Sequence, residues 1–165
     1  MVAHRYNAPQ SAAPHGRPSS ELPLSRIHRS ALVPRPAEQV FDLVNDVESY
    51  PLLFDWCTGA RAEPLGDEMV LAHLDVRIAG VTTRFGTRNR LARPSSIALE
   101  LAEGPLARLS GRWEFKALGD AGCKVTLDVD LAAGGSIASR IFANGFGRIA
   151  DRLVADFVRA ALAAA

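Results

Sequence analysis

Hydrophobic and polar residues alternate along the middle of the chain, from about residue 60 to residue 132. An alternation with a period of two is typical of a strand that has one face in the core and the other in solvent. The segments near residues 74–78, 81–91, 97–101 and 109–115 share this pattern. The clearest case has an apolar set Cys123, Val125, Leu127, Val129 and Leu131 and a polar set Lys124, Thr126, Asp128 and Asp130. We therefore predict an antiparallel meander with one buried face.

A strand and a short helix are predicted before this meander. Residues 27–33 are compatible with a strand, and Pro36 suits the first turn of a helix over residues 37–45. Tyr50 precedes a proline, which disfavours the α-region in the residue before it. We therefore expect an extended or turn conformation at Tyr50.

A long amphipathic helix is predicted after Ser136, which is a plausible N-cap. Two glycines, Gly145 and Gly147, each weaken a helix by about 1 kcal/mol relative to alanine and so indicate a bend or a close approach. Apolar residues recur at fourfold spacing in two rows, which are Ile137, Ile141, Gly145, Ile149, Leu153, Phe157 and Ala161, and Phe142, Phe146, Ala150, Val154, Val158 and Leu162.

Together these elements predict an α+β fold in which a curved antiparallel sheet wraps around the long C-terminal helix. Such a sheet rarely fills its own interior, so we expect an apolar cavity. The candidate ligand-binding residues are apolar or aromatic side chains on the inward faces: Tyr50, Phe54, Trp56, Leu74, Phe85, Trp113, Phe115, Phe146, Ile149, Leu153 and Phe157. The same residues are equally suited to a plain hydrophobic core.

Composition narrows the class of protein. The 165 residues suit one domain, and 48% hydrophobic with 22% charged residues is close to the average for soluble proteins. Residues 1–25 carry four prolines and no apolar periodicity, so we predict a disordered leader there and a domain over residues 26–165. No apolar run approaches the roughly 20 residues of a spanning helix. We expect a cytoplasmic protein.

Charged and nucleophilic residues give few candidates for chemistry. A net charge of +1 provides no overall field for nucleic acid. One strand face carries Arg84, Arg88 and Arg90. These arginines either contact RNA or, as we favour, lie in solvent and pair with acids such as Glu100 or Glu114 on neighbouring strands. Cys57 and Cys123 have no metal or disulfide spacing, so we expect no metal. The sequence contains no assembled catalytic motif, which argues against an enzyme.

Residues 30–161 resemble the polyketide-cyclase-like START superfamily, and within it the branch shared by coenzyme-Q-binding START proteins and bacterial ribosome-association toxins. The resemblance rests on four segments, "ALVPRPAEQVFDLVNDVESYP" with Cys57, "GVTTRFGTRNRL", "EGPLARLSGRWEF" and "CKVTLDVDL" before the last helix. It implies a helix-grip fold, as in START and Bet v 1 domains, with two short helices after the first strand. The C-terminal helix then closes a hydrophobic tunnel, and "YPLLFDW" lies at its mouth.

The resemblance also implies what the protein binds. The first expectation is a carrier that binds ubiquinone or a related prenyl lipid and contacts the inner face of the membrane peripherally, without any other cofactor. The alternative is a toxin that binds the large ribosomal subunit and prevents its joining to the small one. A cyclase or dehydratase is a third, weaker option, and the oligomeric state stays open.

Overall fold

We describe the protein from a computed structural model, which covers residues 24–164. The predicted leader over residues 1–25 falls almost entirely outside these residues and stays a prediction. The first strand begins at Ser25, one residue before the predicted domain boundary.

The described residues form one seven-stranded sheet and three α-helices, which confirms the predicted α+β class. In chain order the elements are β1 (Ser25–Val33), α1 (Ala37–Asn45), a 3₁₀ turn (Val47–Ser49), α2 (Tyr50–Leu53), β2 (Cys57–Pro64), β3 (Met69–Ile78), β4 (Val81–Ala92), β5 (Ser96–Glu103), β6 (Leu106–Leu118), β7 (Gly122–Ala133) and α3 (Ile137–Ala163). The curved sheet is antiparallel throughout, with the strand order β1-β7-β6-β5-β4-β3-β2.

The period-two pattern identifies the buried face of the sheet correctly. All five apolar residues predicted to face inward in β7 are buried, and the polar residues between them are not. On the outer face, Asp128 accepts a hydrogen bond from His28 and Asp130 pairs with Arg26. The inner face packs against α1 and α3 and forms the core with them.

Helix α3 has the predicted N-cap, because the Ser136 hydroxyl accepts a hydrogen bond from the Ser139 amide at 3.0 Å. The predicted apolar stripe is buried from Phe142 near its start to Ala161 near its end, but three of its members are not: Ile137 is 76% exposed, and Ile141 and Leu162 are about half exposed.

The expectation for Tyr50 is wrong. This residue has helical backbone angles, φ −55° and ψ −41°, and begins α2. Its ring is buried and packs edge-on against Phe54 and Phe157, with centroids 5.4 and 5.2 Å away, and its hydroxyl donates to the Val44 carbonyl. The effect of a following proline is a bias, and this packing outweighs it.

Candidate functional site

An apolar cavity lies between α3 and the inner face of the sheet. The space open to the centre of a water-sized molecule is about 80 Å³. Nine of the predicted ligand-binding residues line it: Tyr50, Trp56, Leu74, Phe85, Trp113, Phe146, Ile149, Leu153 and Phe157. Contact of these side chains with a ligand remains a prediction, since the same positions also belong to the hydrophobic core.

Two predicted residues do not line this cavity. Phe54 stacks on Trp56, with ring centroids 5.2 Å apart, and lies behind it. Phe115 packs against Phe41 and Trp113 at 5.4 and 6.3 Å. Both point inward, as expected from the sequence, but neighbouring rings separate them from the cavity, so we treat both as core residues.

The cavity contains a polar pair that sequence reasoning missed. The Thr87 hydroxyl donates to the Asn89 side-chain oxygen at 2.7 Å, and both residues are buried. Both side chains line the cavity, so the pair places polar atoms in an otherwise apolar wall. Thr87 and Asn89 lie on the same strand face as Phe85 and Leu91, and this alternation was the signal that could have identified them.

Trp56 is held by a second missed residue, Asp156 on α3. The indole N–H of Trp56 donates to Asp156 Oδ2 at 3.1 Å, and Arg159 Nη2 lies 3.1 Å from Asp156 Oδ1. Asp156 is only 5% exposed. Asp156 lies seven residues after Ile149 and three residues after Leu153, so it is on the same apolar face of the helix. A carboxylate on such a face indicates that it has a buried hydrogen-bond partner.

The groups near the cavity are poorly suited to acid–base chemistry. Burial raises the pKa of the Tyr50 hydroxyl far above its usual value and raises the pKa of the Cys57 thiol to about 11, so both are uncharged at neutral pH. The Cys57 thiol donates to the Gly59 carbonyl at 3.3 Å. No group of three or more potential metal ligands occurs within the described part of the chain.

The three arginines proposed as an RNA contact lie on the outer face of β4. Arg84 binds the Asp75 carboxylate through two contacts of 2.8 and 3.1 Å, which hold the pKa of Asp75 below its usual range. Arg84 therefore does not pair with Glu100 or Glu114, the acids expected from the sequence. It pairs with Asp75, which lies directly opposite it on β3. Glu100 lies opposite Arg88 in the register with β5.

The outer face also pairs His73 with Glu103, whose side-chain atoms are 3.1 Å apart. Acids and bases are therefore mixed on this surface, which fits the solvated-face interpretation better than an anion-binding site. In the range 24–164, no helix is both long enough and apolar enough to cross a bilayer.

Comparisons with known proteins agree with this architecture. The family model described as polyketide cyclase / dehydrase and lipid transport matches residues 33–158, which confirms the predicted resemblance. The chain is 38% identical over 137 residues to the ribosome association toxin RatA of Pseudomonas aeruginosa, covering 83% of this chain and 95% of that protein. Its identity to the Escherichia coli K12 protein of the same name is 36% over 140 residues, covering 85% and 86%.

A solved structure shows the same fold at lower sequence identity. The crystal structure of the Zhui aromatase/cyclase from Streptomyces sp. R1128 superposes with a TM-score of 0.72 and 19% identity, covering 84% of this chain and 93% of that one. Both of the relatives described above are named ribosome association toxins, and neither name is that of an enzyme. This agrees with the expectation that the protein is not an enzyme.

Proposed function

The chain belongs to the polyketide cyclase / dehydrase and lipid transport family, and within that family we propose that it binds the large ribosomal subunit and limits the joining of the two subunits. The observation that carries this proposal is the similarity to two proteins named ribosome association toxin, at 36% and 38% identity. The alignments span 86% and 95% of those proteins, so the similarity extends over the whole domain.

The size of the cavity also favours the ribosomal function over the prenyl-lipid carrier. An engineered apolar cavity of about 150 Å³ accommodates a single benzene molecule. The cavity here, at about 80 Å³, is smaller than that and has no room for a quinone ring with a prenyl tail unless α3 moves away from the sheet. The carrier function that the sequence favoured therefore becomes the second candidate, with a smaller apolar ligand in place of a prenyl lipid.

That second candidate is supported by the lining of the cavity. Apolar burial contributes roughly 0.8 kcal/mol per methylene group, so a small apolar molecule would gain affinity from these walls without a hydrogen bond. The side chain of Asn89, which lines the cavity, would orient a polar group on such a ligand. We propose a hydrophobic small molecule as its occupant, and a binding role that is separate from the ribosome.

Sedimentation of ribosomes tests the first proposal. Purified protein added in molar excess to joined ribosomes should decrease the joined peak on a sucrose gradient and increase the two free-subunit peaks, because a protein bound at the joining face competes with the small subunit. The protein itself should sediment with the large subunit. An unrelated protein of similar size and charge is the control. An unchanged profile, with no protein in the large-subunit fractions, would contradict the proposal.

A further inference from the structure

A second depression lies on the surface between α3 and the end of β3, next to the cavity. We name it the arginine groove and define it by Arg77 of β3 and Ile141, Asn144, Arg148 and Arg152 of α3. The four helical residues are three or four positions apart, so they share one face of α3. The groove has a volume of about 360 Å³, and Trp56 and Ile149 border both the groove and the cavity.

The charge of the arginine groove is of one sign. Three arginine residues line it and no acidic residue does. Within residues 24–164, Arg77 and Arg148 have no ion-pair partner within 4.0 Å. Arg152 contacts Asp55 at 3.0 Å, but the Asp55 side chain is 76% exposed, and water and salt weaken such a pair.

On the outer face of the sheet, in contrast, positive and negative side chains lie side by side. Its depression around Arg84 is lined by Arg61, His73 and Arg84 together with the carboxylates of Asp75 and Glu103. Arg84 already donates to both oxygens of Asp75. An approaching phosphate group would have to displace an existing carboxylate there, whereas the guanidinium groups of Arg77 and Arg148 are free to bind it.

We propose that the arginine groove binds the phosphate backbone of ribosomal RNA. This inference rests on the proposed association with the ribosome and assigns the surface that makes it. The planar guanidinium fork matches two phosphate oxygens, and phosphate contacts supply most of the affinity for nucleic acid. Because the net charge of the chain is only +1, attraction to RNA requires a local concentration of positive charge, and this groove provides one.

The concave shape favours RNA over a membrane surface. Arginines line the walls of a groove, which fits a rod-like phosphate chain, while a flat bilayer meets protruding side chains first. Ile141 lies in the groove and is about half exposed, so it offers an apolar contact for a ribose or base. Asn144 is exposed and offers a hydrogen-bond donor beside the arginines.

Two matched double variants test the inference. Arg77→Glu with Arg148→Glu reverses two charges in the groove, and Arg88→Glu with Arg90→Glu reverses two on the outer sheet face. Binding of the full chain to purified large subunits is measured by co-sedimentation at several salt concentrations. We expect the groove variant to lose at least about tenfold in affinity and to show a salt slope smaller by about 2, and the outer-face variant to stay within about twofold of wild type. Melting temperatures confirm that both variants are folded.

The outcomes separate this inference from the function on which it rests. If wild-type protein and the groove variant bind the subunit equally, the inference is overturned and the ribosomal function stands. If the wild-type protein does not bind subunits at all, both fail. The third experiment measures binding to vesicles that contain anionic lipid. If the wild-type protein binds these vesicles but not the subunits, and the groove variant does not bind the vesicles, the groove contacts a membrane and the proposed RNA contact is overturned.

Discussion

The hydrogen bond between Trp56 and Asp156 joins the segment after α2 to the long helix. Both side chains are buried, so neither group can exchange this partner for water. A buried donor without an acceptor costs about 1–3 kcal/mol. The pair therefore fixes the Trp56 ring in the wall that separates the cavity from the arginine groove.

Asp156→Ala should lower the free energy of unfolding by about 1–3 kcal/mol, because it leaves the indole N–H of Trp56 buried without an acceptor. Asp156→Asn retains an acceptor oxygen and should lose less. Asp55→Ala removes an exposed carboxylate from the same region and should change stability by less than about 1 kcal/mol. Urea denaturation measures all three. Equal stability of Asp156→Ala and wild type would show that this hydrogen bond is not needed.

At the scale of elements, α3 packs tightly against the end of β3 at Gly145. A Cβ atom at Gly145 would overlap the γ-methyl group of Ile78, the last residue of β3. This confirms the close approach predicted at Gly145. Gly147 has no heavy atom within 4 Å of the corresponding position, so a close approach does not explain that glycine. The contact at Gly145 sets the distance between the two walls of the arginine groove.

Substituting each glycine by alanine separates the effect of packing on stability from the effect of helix propensity. Gly147→Ala should raise the free energy of unfolding by up to about 1 kcal/mol, because alanine favours the helix and nothing obstructs its methyl group. Gly145→Ala gains the same propensity but should lose about 1–3 kcal/mol from overpacking against Ile78. Thermal and urea denaturation measure both. Stabilisation by Gly145→Ala would mean that the end of β3 is free to move away from α3.

At the scale of the whole molecule, the two proposed functions use different parts of the domain. A small apolar ligand would occupy the interior cavity, whereas the ribosomal contact uses the arginine groove on the surface. Trp56 and Ile149 are common to both. A substitution inside the cavity but away from these two residues therefore distinguishes the functions.

Ala72→Val adds two methyl groups at the cavity wall provided by β3. It should raise the free energy of unfolding by about 0.5–1.5 kcal/mol, because it buries more apolar surface in space that is now empty. Mass spectrometry of organic extracts should find less of any co-purified apolar ligand than in wild type, and the sucrose-gradient effect on ribosomes should be unchanged. Loss of the ribosomal effect in this folded, stabilised variant would show that the interior takes part in ribosome binding.

Much of the fold and part of the site could be predicted from the sequence. The alternation in β7 identified its buried face, and the fourfold rows identified the buried centre of α3, because each pattern reports which side of an element faces the core. The same patterns could not separate Phe54 and Phe115, which are packed behind other rings, from the aromatic residues that line the cavity. Inward orientation is a property of one element, whereas access to a cavity depends on every neighbour.

The sequence by itself determined the class of fold, the inward faces and the family, since local periodicity and a match over most of the chain carry that information. Only the tertiary structure decided that the cavity is small, that Trp56 binds Asp156, and that Arg77 joins Arg148 and Arg152 in one groove. These groups lie far apart along the chain. Their distances are set by how α3 packs on the curved sheet, and no local pattern encodes that packing.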